Sequence, residues 1–307
     1  MKSIIHALKM TAFAAVLTTS CVPGWAQDKS EAQKPMMVAG GGGTKIAMYE
    51  YGDPNGPEIL LVHGFSQSHL SWSKQYNSPM MQKFRMVAID LRGHGASEKP
   101  TNAESYNNSK VRADDINAVI KAKNLKKPII VGWSYGGFII SDYVREFGDS
   151  NLGGIDFVDA ATQLGTEDAK NHFGPGLEPA GRMLDPRQEV NIPATAQFLK
   201  LATATPLPTE EFQQAFAYNM AVSPEVRLGL LSRKIDGNDA LAKITVPVLI
   251  SHGQKDVVVL LASGDYIAGK IKQAKKAYYP DAGHLPFMED PERFNRELAE
   301  LASKVGR

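Results

Sequence analysis

One cysteine, Cys21, stands in 307 residues. The chain can therefore build neither an internal disulfide nor a C-x-x-C redox pair nor a cysteine-based zinc site. It also lacks an H-E-x-x-H pattern and any glycine-rich nucleotide fingerprint placed after a strand, so no metal and no cofactor is expected. No block of like charge appears: 34 basic and 33 acidic residues are dispersed to a formal net charge of +1. That leaves no electrostatic footprint for nucleic acid or an anionic membrane surface. Repeats at solenoid period are missing too. What is present is 43% hydrophobic and 22% charged, enough for one large α/β domain or two small ones around a sizeable core.

The first residues, MKSIIHALKMTAFAAVLTTSCVPGWAQ, carry Lys2 and Lys9, then an apolar run from Met10 to Leu17, then small residues ending at Ala26. This is the layout of a cleavable secretory signal over residues 1–26, and the apolar run is too short to span a bilayer. The expected destination is the periplasm or the medium, without stable membrane insertion. Leu17 lies one residue too far from Cys21 for a good lipidation box, which ranks lipoprotein anchoring below soluble export. Cleavage after Ala26 removes two lysines, no acids and the cysteine, leaving 32 basic against 33 acidic residues. Residues 27–43, polar and then glycine-rich, read as a flexible lead-in.

From Thr44 onward short apolar runs alternate with helical periods. TKIAMYEYG, a DPNG turn and PEILLVHGF read as a hairpin entering a sheet. FRMVAID, KPIIVGW, GGIDFVDA, VPVLISHG and KAYYP read as further strands, with helices over residues 111–125 and 135–147 between them. Strands alternating with helices imply an α/β fold with a mostly parallel sheet covered on both faces. Residues 164–239 break the pattern with prolines and helical stretches, among them SPEVRLGLLSRKI, where Ser223 and Pro224 mark a helix start. This segment reads as an inserted helical cap between core parts 44–163 and 240–307, and is short for a domain with its own core.

In PIIVGWSYGGFII a buried strand ends at a serine between glycines. Gly132-Trp133-Ser134-Tyr135-Gly136 fits G-x-S-x-G between strand and helix, the context of a nucleophile elbow. The glycines leave room for a turn sharp enough to lift Ser134 Oγ clear of the sheet, and the following helix aims its N-terminal dipole at the same point. A serine hydroxyl needs a base, and the base needs an orienting acid. Asp256 follows the strand in VLISHGQKD, and His284 follows the next in KAYYPDAGH, in the chain order Ser, Asp, His. An oxyanion hole needs two backbone N–H donors: Tyr135, directly after the serine, and Phe65 in His63-Gly64-Phe65. The His63 side chain reads as a buried organiser of that loop. Trp133 is a candidate wall of the substrate pocket, whereas Phe212 and Phe216, four apart, have the spacing of a packed helix face. Asp114, Asp115, Asp156 and Asp159 read as surface or strand-end carboxylates, with Asp159 the alternative to Asp256.

LLVHGF, AIDLRGHGASEKP, VGWSYGG, HGQKD and AGHLPFMEDPERF together resemble the α/β-hydrolase superfamily, in the branch holding esterases, lactonases, cofactor-free haloperoxidases and carbon–carbon bond hydrolases. The resemblance runs from about Thr44 to the C-terminus, except in the cap. It implies a structural role for Asp90, Arg92 and His94. The serine departs from relatives with an aspartate nucleophile, the haloalkane dehalogenases and epoxide hydrolases, and Ser66 stands near where many peroxide-using relatives carry proline. The reading that follows is an exported serine hydrolase acting on a small-molecule carboxylic ester or lactone. The alternatives are a haloperoxidase or perhydrolase on the same triad, and a non-catalytic binding protein.

Overall fold

Runs of branched apolar residues place the sheet. The computed structural model describes residues 33–304; the expected signal segment lies outside them. Ten strands occur among the described residues: β1 Met36–Ala39, β2 Lys45–Gly52, β3 Glu58–Val62, β4 Arg85–Asp90, β5 Ile129–Trp133, β6 Gly154–Val158, β7 Gln163–Leu164, β8 Ile235–Asp236, β9 Val248–Gly253 and β10 Ala274–Tyr279. Eight form one sheet in the order β1-β2-β4-β3-β5-β6-β9-β10. From β4 to β10 every pairing is parallel, and β1 and β2 are antiparallel. Ile59 to Val62 and Ile129 to Val131 are wholly buried, as strands covered on both faces must be. The principal helices are α1 Ser109–Ala122, α2 Gly136–Phe147, α3 Gln188–Leu201, α4 Thr209–Met220, α5 Pro224–Leu231, α6 Leu261–Lys270 and α7 Pro291–Ala302.

Two local expectations are corrected. Order does not begin at Thr44: Met36–Ala39 is a strand whose Val38 pairs with Ile46 of β2. The glycine stretch is the turn of this hairpin, with Gly42 and Gly43 at φ 64° and 80°. Asp115, expected at the surface, is buried and grips that turn. Its carboxylate accepts from the Gly41 N–H at 2.9 Å and from Arg92, which also donates to the Gly41 carbonyl at 2.8 Å. Neither partner is near in sequence, so composition alone made the segment look like a linker. Second, β2 and β3 are not a hairpin. β4 lies between them, antiparallel to β2 and parallel to β3.

The chain goes from β3 to β4 on one side and later to β5 on the other. Such a reversal opens a crevice at the carboxyl ends of the strands. The chain leaves the sheet after β6 and returns at β9. Between these, β7 and β8 form a two-stranded ladder, Gln163 opposite Asp236 and Leu164 opposite Ile235, which closes the neck of a segment holding α3, α4 and α5. Ser223 caps α5 through the Val226 N–H, with Pro224 in its first turn.

Candidate active site

Ser134 follows the last residue of β5 and has φ 54°, a conformation that costs about 1 kcal/mol or more outside glycine and persists only where the surroundings impose it. The surroundings are tight. A Cβ on Gly132 would come within 2.5 Å of Ile140 Cδ1 and 2.8 Å of the Gly136 carbonyl oxygen, and one on Gly136 within 2.9 Å of the Val62 carbonyl oxygen. The glycines of G-x-S-x-G are thus required by the backbone on both sides of the turn.

His284 and Asp256 converge on this serine from the ends of β10 and β9. His284 Nδ1 donates to Asp256 Oδ2 at 2.6 Å, and Asp256 Oδ1 accepts the Val258 and Val259 N–H groups at 2.7 and 3.1 Å. The other ring nitrogen, His284 Nε2, is buried with no hydrogen-bond partner, and His284 lines one cavity together with Ser134. The backbone of His284 is held as well. Its N–H donates to the Ala202 carbonyl at 2.7 Å, and its own carbonyl accepts from Trp133 Nε1 at 2.8 Å.

Asp159, directly after β6, enters the same cluster, where its carboxylate, that of Asp256 and the His284 ring lie within 4.8 Å of one another. It occupies a strained φ of 41°. One oxygen accepts the Gly253 N–H at 2.9 Å and the other has no partner. Burial, and then the adjacent Asp256, push its carboxyl well above the usual range, which favours the neutral form of Asp159. Asp156 is not a surface residue either. It is fully buried in β6 with neither oxygen hydrogen-bonded, and burial raises it to about 8.

The Phe65 loop lies against the serine. A Cβ on Gly64 would sit 3.1 Å from Ser134 Cβ. His63 shapes the turn: its Nδ1 donates to the Gly64 carbonyl at 2.8 Å, and its Nε2 accepts the Leu91 N–H at 3.0 Å. Burial lowers its pKa to about 4, which keeps the ring neutral and able to accept. Among the described residues, neither the Phe65 nor the Tyr135 N–H donates to a backbone carbonyl. Arg92 is paired with Asp115 and His94 Nδ1 with the Arg92 carbonyl, which fixes the following loop.

Two cavities meet at Ser134, Phe65 and Phe198. The larger, about 40 Å³, is walled by Tyr135, Phe138, Leu177, Leu231 and Val258. The other, about 10 Å³, is walled by Trp133, Leu207, Tyr218, His284 and Met288. Trp133 lines the smaller cavity and braces His284 through its indole N–H. Phe212 and Phe216 stack on each other with centroids 6.2 Å apart and line neither cavity. Phe198 was missed, because its position on α3 carries no motif and only packing of the insert turns it toward the serine, where it meets Phe65 edge-on at 6.4 Å.

A strand-ended serine, a histidine–aspartate pair and a mostly parallel sheet agree with a family model described as the alpha/beta hydrolase fold, which matches residues 57–291; the chain belongs to this family. Among its relatives is the bifunctional esterase/perhydrolase of Acinetobacter calcoaceticus, 27% identical over 83% of this chain and 95% of that protein. A non-heme haloperoxidase of Rhodococcus erythropolis is 26% identical over 85% and 97%. Among solved structures, the esterase RhEst1 from Rhodococcus sp. ECU1013 superposes with a TM-score of 0.82 at 30% identity, covering 89% of this chain and 99% of that one.

Proposed function

We propose that the protein is an exported serine hydrolase that cleaves a carboxylic ester or lactone. The observation that carries this reading is the state of His284: Nδ1 is tied to Asp256, and Nε2 is buried, unpartnered and in one cavity with Ser134. Such a ring is the tautomer that accepts a proton at Nε2. In the proposed reaction Ser134 Oγ attacks the carbonyl carbon as its proton passes to His284. The oxyanion settles on the Phe65 and Tyr135 amides, and the C–O bond to the alcohol breaks as His284 returns the proton to it. Water then attacks the acyl-enzyme by the same route and frees the acid. Because His284 protonates the departing alcohol, the smaller cavity that it lines takes the alcohol, and the larger, mostly hydrophobic cavity takes the acyl group. Export rests on the leader, residues 1–26.

The relatives named for peroxide chemistry favour a second reading, formation of a peracid on the same residues. Ser66 argues against it. Its φ is 60°, which proline, locked near −65°, cannot adopt, so this loop differs from one with proline there. The test is a comparison of initial rates on aryl and alkyl esters, lactones, and acetate with peroxide and halide. The ester hydrolase predicts faster hydrolysis than halogenation. Dominant halogenation would contradict it, and absence of any turnover would favour the binding protein.

A further inference from the structure

Arg227 is a buried cation without a counter-charge. It lies on α5 of the insert at 1% exposure, and among the described residues no carboxylate pairs with it. Burial lowers its pKa to about 10, so it stays protonated at neutral pH. Its guanidinium is satisfied by neutral oxygens alone. Nη1 donates to the Met183 carbonyl at 2.9 Å and Nη2 to the Asn219 carbonyl at 2.7 Å, while Nε donates to Ser66 Oγ at 3.0 Å. Met183 follows the short helix Glu178–Arg182, and Asn219 lies in the last turn of α4. Three pieces of the insert are thereby fastened at one point to the residue after Phe65.

Burying a charge without an ion pair is costly, and a hydrophobic side chain would pack the insert against itself more cheaply. What the arginine adds is the bond that leaves the insert. Ser66 is fully buried and held at φ 60°. Its peptide follows directly on Phe65, whose N–H is the proposed oxyanion donor, so the direction of that N–H depends on how the turn at 65–66 is fixed. Gly64 contributes the close approach to Ser134 and His63 anchors the near side of the turn. Arg227 anchors the far side.

We propose that Arg227 is a positioning residue that seats the helical insert on the oxyanion loop through Ser66, so that the Phe65 donor is correctly aimed only when the insert is in place. This rests on the ester-hydrolase reading above. Such a residue acts on the transition state and not on ground-state binding, so its loss falls on kcat with KM little changed.

The experiment uses two variants, Ser66→Gly and Arg227→Met, and their combination. Glycine accepts φ 60° without strain, so Ser66→Gly removes the hydroxyl while sparing the fold, even if Arg227→Met fails to fold. For each we would measure melting temperature, kcat and KM on an aryl ester, and Ki for an alkyl trifluoromethyl ketone, whose adduct with an activated serine carries an oxyanion. Ser66→Gly leaves the buried Arg227 Nε–H unpaired and should lower the melting temperature by a few degrees while the protein stays folded; it should keep its KM, lose about 10-fold or more in kcat as a misdirected oxyanion donor does, and raise Ki by a similar factor. The double variant should be no worse than Arg227→Met, since both remove the same bond. Wild-type kcat and Ki in Ser66→Gly, or a loss confined to melting temperature in Arg227→Met, would overturn the proposal. A wild-type protein that hydrolyses no ester and binds no ketone would overturn the ester reading and this inference with it.

Discussion

His284 Nδ1 and Asp256 Oδ2 stand 2.6 Å apart, while Asp159, with one oxygen unpartnered, lies in the same cluster. Burial and the neighbouring Asp256 hold the Asp159 carboxyl well above the usual range, which favours its neutral form. Asp256, with two backbone N–H groups on Oδ1 and His284 Nδ1 on Oδ2, is the carboxyl placed to orient the ring. Asp256→Asn is therefore expected to lower kcat by roughly 10³–10⁴-fold, because the amide no longer fixes the tautomer. Asp159→Asn replaces a neutral acid with a neutral amide and should stay within a few-fold of wild type. Steady-state rates on one ester, with circular dichroism of both variants, decide it; the reverse pattern would make Asp159 the orienting acid.

Gly64 lets the Phe65 loop come close to Ser134, with a hypothetical Cβ 3.1 Å from Ser134 Cβ and 3.3 Å from the Trp133 ring. Gly64→Ala forces the loop or the elbow to shift by a few tenths of an ångström. The expected result is a loss of about 10- to 100-fold in kcat, as small displacements of catalytic groups produce, with a melting temperature within a few degrees of wild type. Unchanged kcat would place the oxyanion donor elsewhere.

Asp156 carries a pH signature. Its folded-state pKa is raised to about 8 by burial, above its unfolded value, so the folded state binds the extra proton and stability falls as pH rises from about 4 through about 8. The slope for one proton is about 1.4 kcal/mol per pH unit. Asp156→Asn should flatten this dependence, gaining on wild type at pH 8 relative to pH 4. Urea unfolding at both values measures it, and parallel profiles would show that Asp156 is ionised in the folded protein.

The strands, the elbow and the Ser134, Asp256 and His284 positions were legible because each depends on local chemistry: branched residues in short runs, glycines where a Cβ would collide, a polar residue just past a strand. The glycine turn and β1 were not, since what orders them is Arg92 and Asp115, far along the chain. Strand order failed for a similar reason, because β4 enters between β2 and β3 through a pairing that no short segment encodes. Phe198 and Arg227 carry no motif. Their roles arise where α3 and α5 come down on the Phe65 loop.

The most direct measurement of the central claim is covalent labelling by a fluorophosphonate. A serine beside a free base and two donor amides attacks phosphorus much as it attacks a carbonyl, and an ordinary hydroxyl does not. The account predicts one adduct per chain, mapped by peptide mass spectrometry to Ser134, abolished in Ser134→Ala and lost together with ester hydrolysis in His284→Ala. A wild-type protein that takes no label, or carries it on a serine other than Ser134, would contradict it.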